Sequence, residues 1–209
     1  MRGAIVRAKW FDAVARAFVY AEQDGLIVSI DSGLDTRASR IALRPNIDWI
    51  DIDLPEVVAL RKAIVLPLPH VRSVAADGAD VAAWAQAIPW RAGHPVLVLA
   101  EEVSMYFKPS HAENWIRALV AEAQCKRSML MLALDLASPF LVKHGHHNPS
   151  VSKTGVRFAW GIGDPADLTR LNGDLGSAPD LRCRPPVRRD VLGRGRMHWL
   201  LTGRSIYHL

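Results

Sequence analysis

The stretch LIVSIDSGLDTR (26–37) decides the fold. Its first five residues, LIVSI (26–30), form a nearly continuous apolar run, which is typical of a strand buried on both faces of a parallel sheet. The turn DSG (31–33) follows, and either Asp35 or Thr36 is suited to be the N-cap of a helix after it. A strand, a tight turn and a helix in this order predict the first unit of an α/β sheet.

Strands and helices alternate on both sides of this unit. An amphipathic helix is predicted over 4–22, where Trp10, Val14 and Phe18 recur at helical spacing. Ser110 lies three residues before Glu113, which is the spacing of a capping box at a helix start. Four further strands are predicted at 48–52, 70–76, 95–100 and 128–134, with helices at 54–65, 80–88 and 110–123. We therefore expect an α/β fold with a Rossmann-like, mostly parallel sheet and helices on both faces.

The chain length of 209 residues suits one domain with a sizeable core. We expect an N-terminal helix over 1–25 and a cofactor-binding core over 26–135. The remaining residues, 136–209, contain a long turn-rich excursion and are expected to form an acceptor-pocket segment and one or two late strands. SIYHL (205–209) is the best candidate for such a strand.

Composition and charge exclude several classes of protein. No apolar run approaches the roughly 20 residues that span a bilayer, and the N-terminus has no secretory signal pattern, so a cytoplasmic protein without a membrane partner is expected. Cys125 and Cys183 form no motif and are expected to be free thiols. Residues 181–209 contain seven arginines and one acid, which we interpret as a solvated basic face, so nucleic acid is not the expected partner.

An acidic residue lies at or near the end of every predicted strand, where open α/β sheets bind their ligands. These acids are Asp31, Asp53, Asp77, Glu101 with Glu102, and Asp135. Asp53 follows Gly33 by 20 residues, the spacing that places a carboxylate on a ribose diol. Asp77 has an alternative role as the cap of the helix that begins near residue 80.

The glycine content of the first turn separates two kinds of nucleoside ligand. A dinucleotide site needs several glycines because the pyrophosphate approaches the backbone closely, and this turn has only Gly33. S-adenosylmethionine has no phosphate, and its ribose, adenine amine, sulfonium and ammonium groups suit acidic partners. The pattern therefore favours S-adenosylmethionine over a nicotinamide dinucleotide.

Five ordered segments resemble the leucine carboxyl methyltransferase and polyketide O-methyltransferase superfamily. They are RGAIVRAKWFD (2–12), SGLDTR (32–37), DIDLPEVVALR (51–61), VLAEEVSMYF (98–107) and HHNPSVSKTGVRFAWGIGDP (146–165). The resemblance implies a class I methyltransferase sheet and S-adenosylmethionine as cofactor. It also implies transfer of the methyl group to a carboxyl or hydroxyl oxygen of a small molecule.

The same resemblance implies roles for individual residues. Arg7 matches the family arginine that grips the cofactor carboxylate, and Gly33 matches the glycine of the first motif. Asp53 matches the ribose-binding acid, Asp77 the acid near the adenine, and Glu101 the glutamate that helps to hold the cofactor. Residues at the acceptor pocket are implied to be Tyr106, His147 and Trp160.

Two departures from the family pattern bear on activity. Asp31 stands where family members usually have glycine, and its side chain is expected to face the amino-acid end of the cofactor. Family members also usually have further helices before the segment matched by 2–12, which implies a more open pocket here or one that a partner chain covers.

Two other functions stay open at the level of sequence: a catalytically idle relative that keeps the fold, and a nucleic-acid methyltransferase. No residue is assigned as a catalytic base, although the histidines at 144, 146 and 147 are the nearest candidates for a hydroxyl acceptor. No metal site is expected, because no cysteine or acid completes a ligand set with these histidines.

Overall fold

A seven-stranded sheet organises the computed structural model, which describes residues 2–145, 156–164, 166–171, 175–177 and 196–203. The strands are β1 (Gly25–Ile30), β2 (Ile47–Asp53), β3 (Val71–Ala75), β4 (Pro95–Ala100), β5 (Met129–Ala137), β6 (Leu175–Ser177) and β7 (Arg196–Gly203). Their order across the sheet is β3-β2-β1-β4-β5-β7-β6. The first five are parallel, and β7 runs antiparallel to both β5 and β6.

Helices connect the parallel strands. They are α1 (Arg2–Ala21), α2 (Arg37–Arg40), α3 (Pro55–Ile64), α4 (Val81–Ala85), a 3₁₀ helix (Ser104–Tyr106), α5 (Pro109–Cys125), α6 (Pro139–His144) and α7 (Ala166–Leu171). None of the helices in the described part of the chain is long and apolar enough to cross a membrane. The predicted alternation of five strands with helices is confirmed.

The central strands are apolar on both sides because helices cover both faces of the sheet. In β1, Val28 packs in a core cluster with Trp84 and Trp115, whereas its neighbour Ile27 packs in a second cluster with Phe11. Successive residues of a strand point to opposite faces, so both sets must be apolar. All six residues of β1 and all six of β4 are buried for this reason.

The structure decides two local expectations about helix caps and leaves one expected strand outside the described residues. Helix α5 begins at Pro109 with Lys108 as its N-cap residue, so Ser110 lies inside the first turn and forms no capping box. Proline suits the first helical position because its ring fixes φ. The N–H that proline lacks would have no partner within the helix at this position. Thr36 occupies the N-cap position of α2 but makes no capping hydrogen bond. The late strands are 175–177 and 196–203, and the predicted strand at 205–209 lies outside the described residues.

Gly78, in the connection that follows β3, packs closely against the carboxyl end of β1. The carbonyl of Gly78 accepts hydrogen bonds from the indole nitrogens of Trp84 (3.2 Å) and Trp115 (2.9 Å). A Cβ atom at this position would overlap Cγ2 of Ile30 and lie 2.6 Å from Oδ1 of Asp31. The two indoles fix the backbone, so it cannot withdraw without losing these bonds.

Gly78→Ala is therefore expected to lower the free energy of unfolding by about 1–3 kcal/mol, the usual cost of overpacking a core. Gly163→Ala is the matched control, because its Cβ would meet only Pro139 at 3.7 Å. Urea unfolding of both variants measures the difference. Equal stability of the two variants would show that the Gly78 contact is not tight.

Candidate functional site

The parallel strands β1, β2 and β4 bring their carboxyl ends, and the acids that follow them, to one edge of the sheet. A cavity of about 290 Å³ opens there between α1 and the ends of β1 and β4. Its lining includes Arg7, Asp31, Ser32, Arg37, Glu101 and Glu102. Four carboxylates and two guanidinium groups line it in total, so the cavity has an excess of negative charge. This charge suits a cationic ligand.

The turn after β1 is tied to the end of β2. Gly33 has φ +54°, a conformation that glycine adopts without steric cost, and its N–H donates to Oδ2 of Asp53 at 2.6 Å. The other oxygen of Asp53 accepts from the N–H of Leu54 at 2.8 Å. The Gly33 carbonyl accepts from Nη1 of Arg61 at 2.9 Å. Both polar groups of Gly33 are thus bonded, which fixes Asp53 at the edge of the sheet.

Buried Arg61 is itself held in place by an ion pair. Its Nη2 lies 2.7 Å from Oδ2 of Asp51, and the indole nitrogen of Trp49 donates to the other oxygen at 2.8 Å. Burial raises the pKa of Asp51, although the Arg61 charge opposes the rise. Asp51 therefore holds Arg61 in place and is not itself among the residues that line the cavity.

Arg7 of α1 reaches across to the end of β4. Its Nε donates to Oε1 of Glu101 at 2.8 Å and its Nη1 to Oε1 of Glu102 at 2.9 Å. Burial by itself lowers the pKa of Arg7, but the hydrogen bond to Glu101 and the charges of Glu102 and Asp135 raise it above its usual value. Within the described residues, Nη2 of Arg7 has no partner and is free to bind an anionic group of a ligand.

The other carboxylate oxygen of Glu101 accepts a hydrogen bond from a second arginine, Arg37. Nη2 of Arg37 lies 2.6 Å from Oε2 of Glu101, so each carboxylate oxygen is held by a different guanidinium group. Glu102 has φ +58°, and its N–H donates to Oδ1 of buried Asp135 at 2.7 Å. The sequence pattern singled out Glu101 but assigned no role to Arg37 within the quoted SGLDTR segment or to the Glu102–Asp135 contact.

Asp31 lies at the rim of the cavity, with φ +49°. Its carboxylate approaches Gly78, and the negative charges that act on it most belong to Asp53 and Asp77. Partial burial, together with these two charges, raises the pKa of Asp31 to about 6. The Asp31 carboxylate is thus directed at the other acids of the sheet edge as well as at the cavity.

Asp77 does not cap α4. Its Oδ1 accepts from the N–H of Ala79 at 2.8 Å, within the turn that precedes the helix. The N-cap is Asp80, whose side chain accepts from the N–H of Ala83 at 3.1 Å. The capping alternative for Asp77 is therefore wrong, and its exposed carboxylate lies beyond the end of β3.

The predicted acceptor residues lie in different surroundings. Tyr106 ends the 3₁₀ helix, is 37% exposed, and stacks on Phe158 with ring centres 5.5 Å apart. Trp160 is buried in the core, and its backbone N–H donates to the carbonyl of Met105 at 3.2 Å. His147 lies outside the described residues. In the part of the chain that the structure covers, no group of three or more His, Cys, Asp or Glu could hold a metal ion.

The raised pKa of Asp31 predicts a pH-dependent cost to folding. A group whose folded-state pKa exceeds its ordinary value of 3.8 favours the folded state fully only below that value. This contribution is lost as the pH rises through about 6. Asp31→Asn, which keeps a residue that tolerates positive φ, should therefore be more stable than the natural protein at pH ~7, with the difference vanishing near pH ~4.

Urea unfolding of both proteins between pH ~4 and ~8 tests this dependence. Asp31→Gly is the companion variant, because it relieves the backbone strain as well as the charge and should shift stability by a further pH-independent amount. A difference between natural protein and Asp31→Asn that stays constant with pH would contradict the assignment.

Many solved structures share this fold, and two of them illustrate the likeness. A DUF574 family protein from Streptomyces avermitilis superposes with a TM-score of 0.64 and 13% identity, covering 95% of this chain and 83% of that one. Magnesium protoporphyrin IX methyltransferase (ChlM) from Synechocystis PCC 6803, crystallised with bound SAM, superposes with a TM-score of 0.59 and 13% identity, covering 97% and 82% of the two chains. The predicted class I methyltransferase fold is confirmed.

Sequence similarity narrows the family. Tetracenomycin polyketide synthesis O-methyltransferase TcmP from Streptomyces glaucescens is 28% identical over 170 residues, which make up 80% of this chain. The aligned part is 60% of the length of that relative. The leucine carboxyl methyltransferase family model matches residues 1–120, more than half of the chain. The superfamily expected from the five sequence segments is thereby confirmed, and the chain belongs to the leucine carboxyl methyltransferase family.

Proposed function

We propose that this chain binds S-adenosylmethionine at the carboxyl edge of its sheet and transfers the methyl group to an oxygen of a small molecule. The observation that carries the proposal is the pairing of two anchors on one edge. Asp53 is fixed by the Gly33 turn, and Arg7 lies across the cavity with one guanidinium nitrogen open. A ribose diol and an α-carboxylate are the groups that such anchors bind.

The chemistry of the donor set fits this cofactor. Each oxygen of Asp53 accepts one backbone hydrogen bond, which leaves further lone pairs for two ribose hydroxyls. Ser32 offers a buried hydroxyl that has no partner among the described residues. The excess of carboxylates around the cavity favours a ligand that carries a sulfonium and an ammonium group. We assign Gly33, Asp53 and Asp77 to the adenosine part, and Arg7 and Glu101 to the amino-acid part.

The relatives support both the cofactor and the kind of transfer. The Synechocystis methyltransferase has SAM bound on the same fold, and TcmP is an O-methyltransferase of polyketide synthesis. When bound, S-adenosylmethionine supplies an electrophilic methyl group whose bonding electron pair stays with sulfur. A carboxyl acceptor is ionised at neutral pH and needs no base, so this chain's residues would act by orienting both molecules and excluding water.

The acceptor is proposed to lie beside the ends of β4 and β5. Tyr106 presents a partly exposed ring there, and His147 and Trp160 complete the proposed set. A hydroxyl acceptor would need a base to take its proton. His144 is the candidate within the described residues; it is exposed on α6, with its ring centre 4.7 Å from that of Phe140.

Transfer is tested with methyl-labelled S-adenosylmethionine and a panel of aromatic carboxylic acids and phenols. Label should appear in an acceptor of one of the two classes. Mild alkali then identifies the oxygen, because a methyl ester releases labelled methanol whereas a methyl ether does not. Binding of the cofactor without label in any acceptor would favour a catalytically idle relative, and absence of binding would contradict the proposal.

Asp53→Asn is expected to weaken S-adenosylmethionine binding tenfold or more. The substitution removes the charge from the bonds to the ribose hydroxyls, and charge-assisted bonds contribute about 1.5–3 kcal/mol each. Calorimetric titration measures the change. The control is Asp48→Asn near the start of the same strand, where the half-buried carboxylate pairs with Arg91 at 3.0 Å. Unchanged affinity in a folded Asp53→Asn protein would rule out the ribose assignment.

Arg7→Lys is expected to lose affinity although the charge is kept. A guanidinium group can bond Glu101, Glu102 and a ligand carboxylate from three nitrogens, whereas an ammonium group offers one point charge. We expect a loss of about tenfold in the same titration. Arg16→Lys, at an exposed position of the same helix, should have no effect. If lysine serves as well as arginine at position 7, that residue does not grip the carboxylate.

A further inference from the structure

We propose that Arg37 is a positioning residue that holds Glu101 in the orientation needed to bind the amino-acid end of the cofactor, an inference that rests on the proposed function. Arg37 would act through Glu101 and would not touch the ligand itself. The consequence is specific: loss of Arg37 weakens binding of ligands that have an amino-acid group and spares those that have only the nucleoside.

All three guanidinium nitrogens of Arg37 are already occupied. Nε lies 2.9 Å from Oδ1 of Asp12, Nη1 lies 2.8 Å from Oδ2 of Asp35, and Nη2 lies 2.6 Å from Oε2 of Glu101. The residue is only 3% exposed, and its guanidinium carbon lies 5.5 Å from the centre of the Phe11 ring. Arg37 lines the cavity, but these three carboxylates engage every nitrogen of its guanidinium group and fix its orientation toward Glu101.

Arg7 differs from Arg37 because only two of its three guanidinium nitrogens donate to carboxylates. It takes the other oxygen of Glu101 and keeps Nη2 open within the described residues. Each of the two arginines therefore binds one oxygen of the Glu101 carboxylate. Arg37 holds it from the buried side, and Arg7 holds it from the side of the cavity.

Removing Arg37 would change what Glu101 does. With one oxygen released, the carboxylate is free to turn and pair with Arg7 through both oxygens, the preferred geometry of an arginine–carboxylate pair. Both groups would then be withdrawn from the ligand. Gly33 and Asp53, two of the residues assigned to the adenosine part, make no bond to Arg37 in the part of the chain described.

Arg40 provides a matched control. It lies on the same short helix and pairs with the same two acids, Asp12 at 3.0 Å and Asp35 at 3.1 Å, but it makes no contact with Glu101. Any effect that comes only from loosening α1 or the turn after β1 should appear in Arg40→Met as well as in Arg37→Met. An effect that comes through Glu101 should appear only at position 37.

The experiment compares two ligands, S-adenosylhomocysteine and methylthioadenosine, which share the thionucleoside and differ in the amino-acid group. Their affinities are measured by calorimetry for the natural protein, Arg37→Lys, Arg37→Met and Arg40→Met. In both Arg37 variants, S-adenosylhomocysteine binding should weaken about tenfold while methylthioadenosine binding changes less than about twofold. Arg40→Met should leave the ratio of the two affinities unchanged.

A double variant guards against the loss of folding in Arg37→Met. In the Glu101→Gln background, Arg37→Lys should cause no further change in the ratio of affinities, because the group through which Arg37 acts has been altered. Equal losses for both ligands, or the same selective loss in Arg40→Met, would overturn the inference and leave the proposed function intact. A natural protein that binds neither ligand would overturn both.

Discussion

Parallel strands must all end at the same edge of a sheet, and in this chain that edge collects acids. The adjacent strands β2, β1 and β4 end at or directly before an acid, namely Asp53, Asp31 and Glu101. Asp77 lies two residues beyond the end of β3. Carboxylates crowded in this way repel one another and are stable only if cations or N–H groups compensate for them. Much of the remaining structure supplies this compensation, and the arrangement that results is also what makes the edge suitable for a cationic nucleoside.

The compensation comes from outside the sheet. Backbone N–H groups satisfy Asp53, whereas Arg7 from α1 and Arg37 from α2 satisfy Glu101. Asp31 has no such partner in the described residues, and burial together with the charges of Asp53 and Asp77 raises its pKa. The site therefore contains Asp53 and Glu101, which are well held, on the two sides, and Asp31, which has a strained backbone conformation, between them.

Local patterns predicted most of the fold and the acids that follow its parallel strands. Apolar runs located the five parallel strands, with 95–100 exact, because a strand buried on both faces leaves a continuous signal. The strand 196–203 was missed because glycines and arginines before it resemble a loop. The role of Arg37 could not be predicted, since its partners Asp12 and Glu101 are 25 and 64 residues away and only folding brings them together.

Hydrogen–deuterium exchange with and without S-adenosylmethionine tests the central claim most directly, because the claim concerns one edge of the sheet. The cofactor should slow exchange in peptides that contain the turn 31–37, the end of β2 at 53–55 and the end of β4 at 100–103. The opposite edge, where β1 and β4 begin, should exchange at the same rate in both conditions. Protection that is absent from the carboxyl edge, or found only elsewhere, would contradict the account.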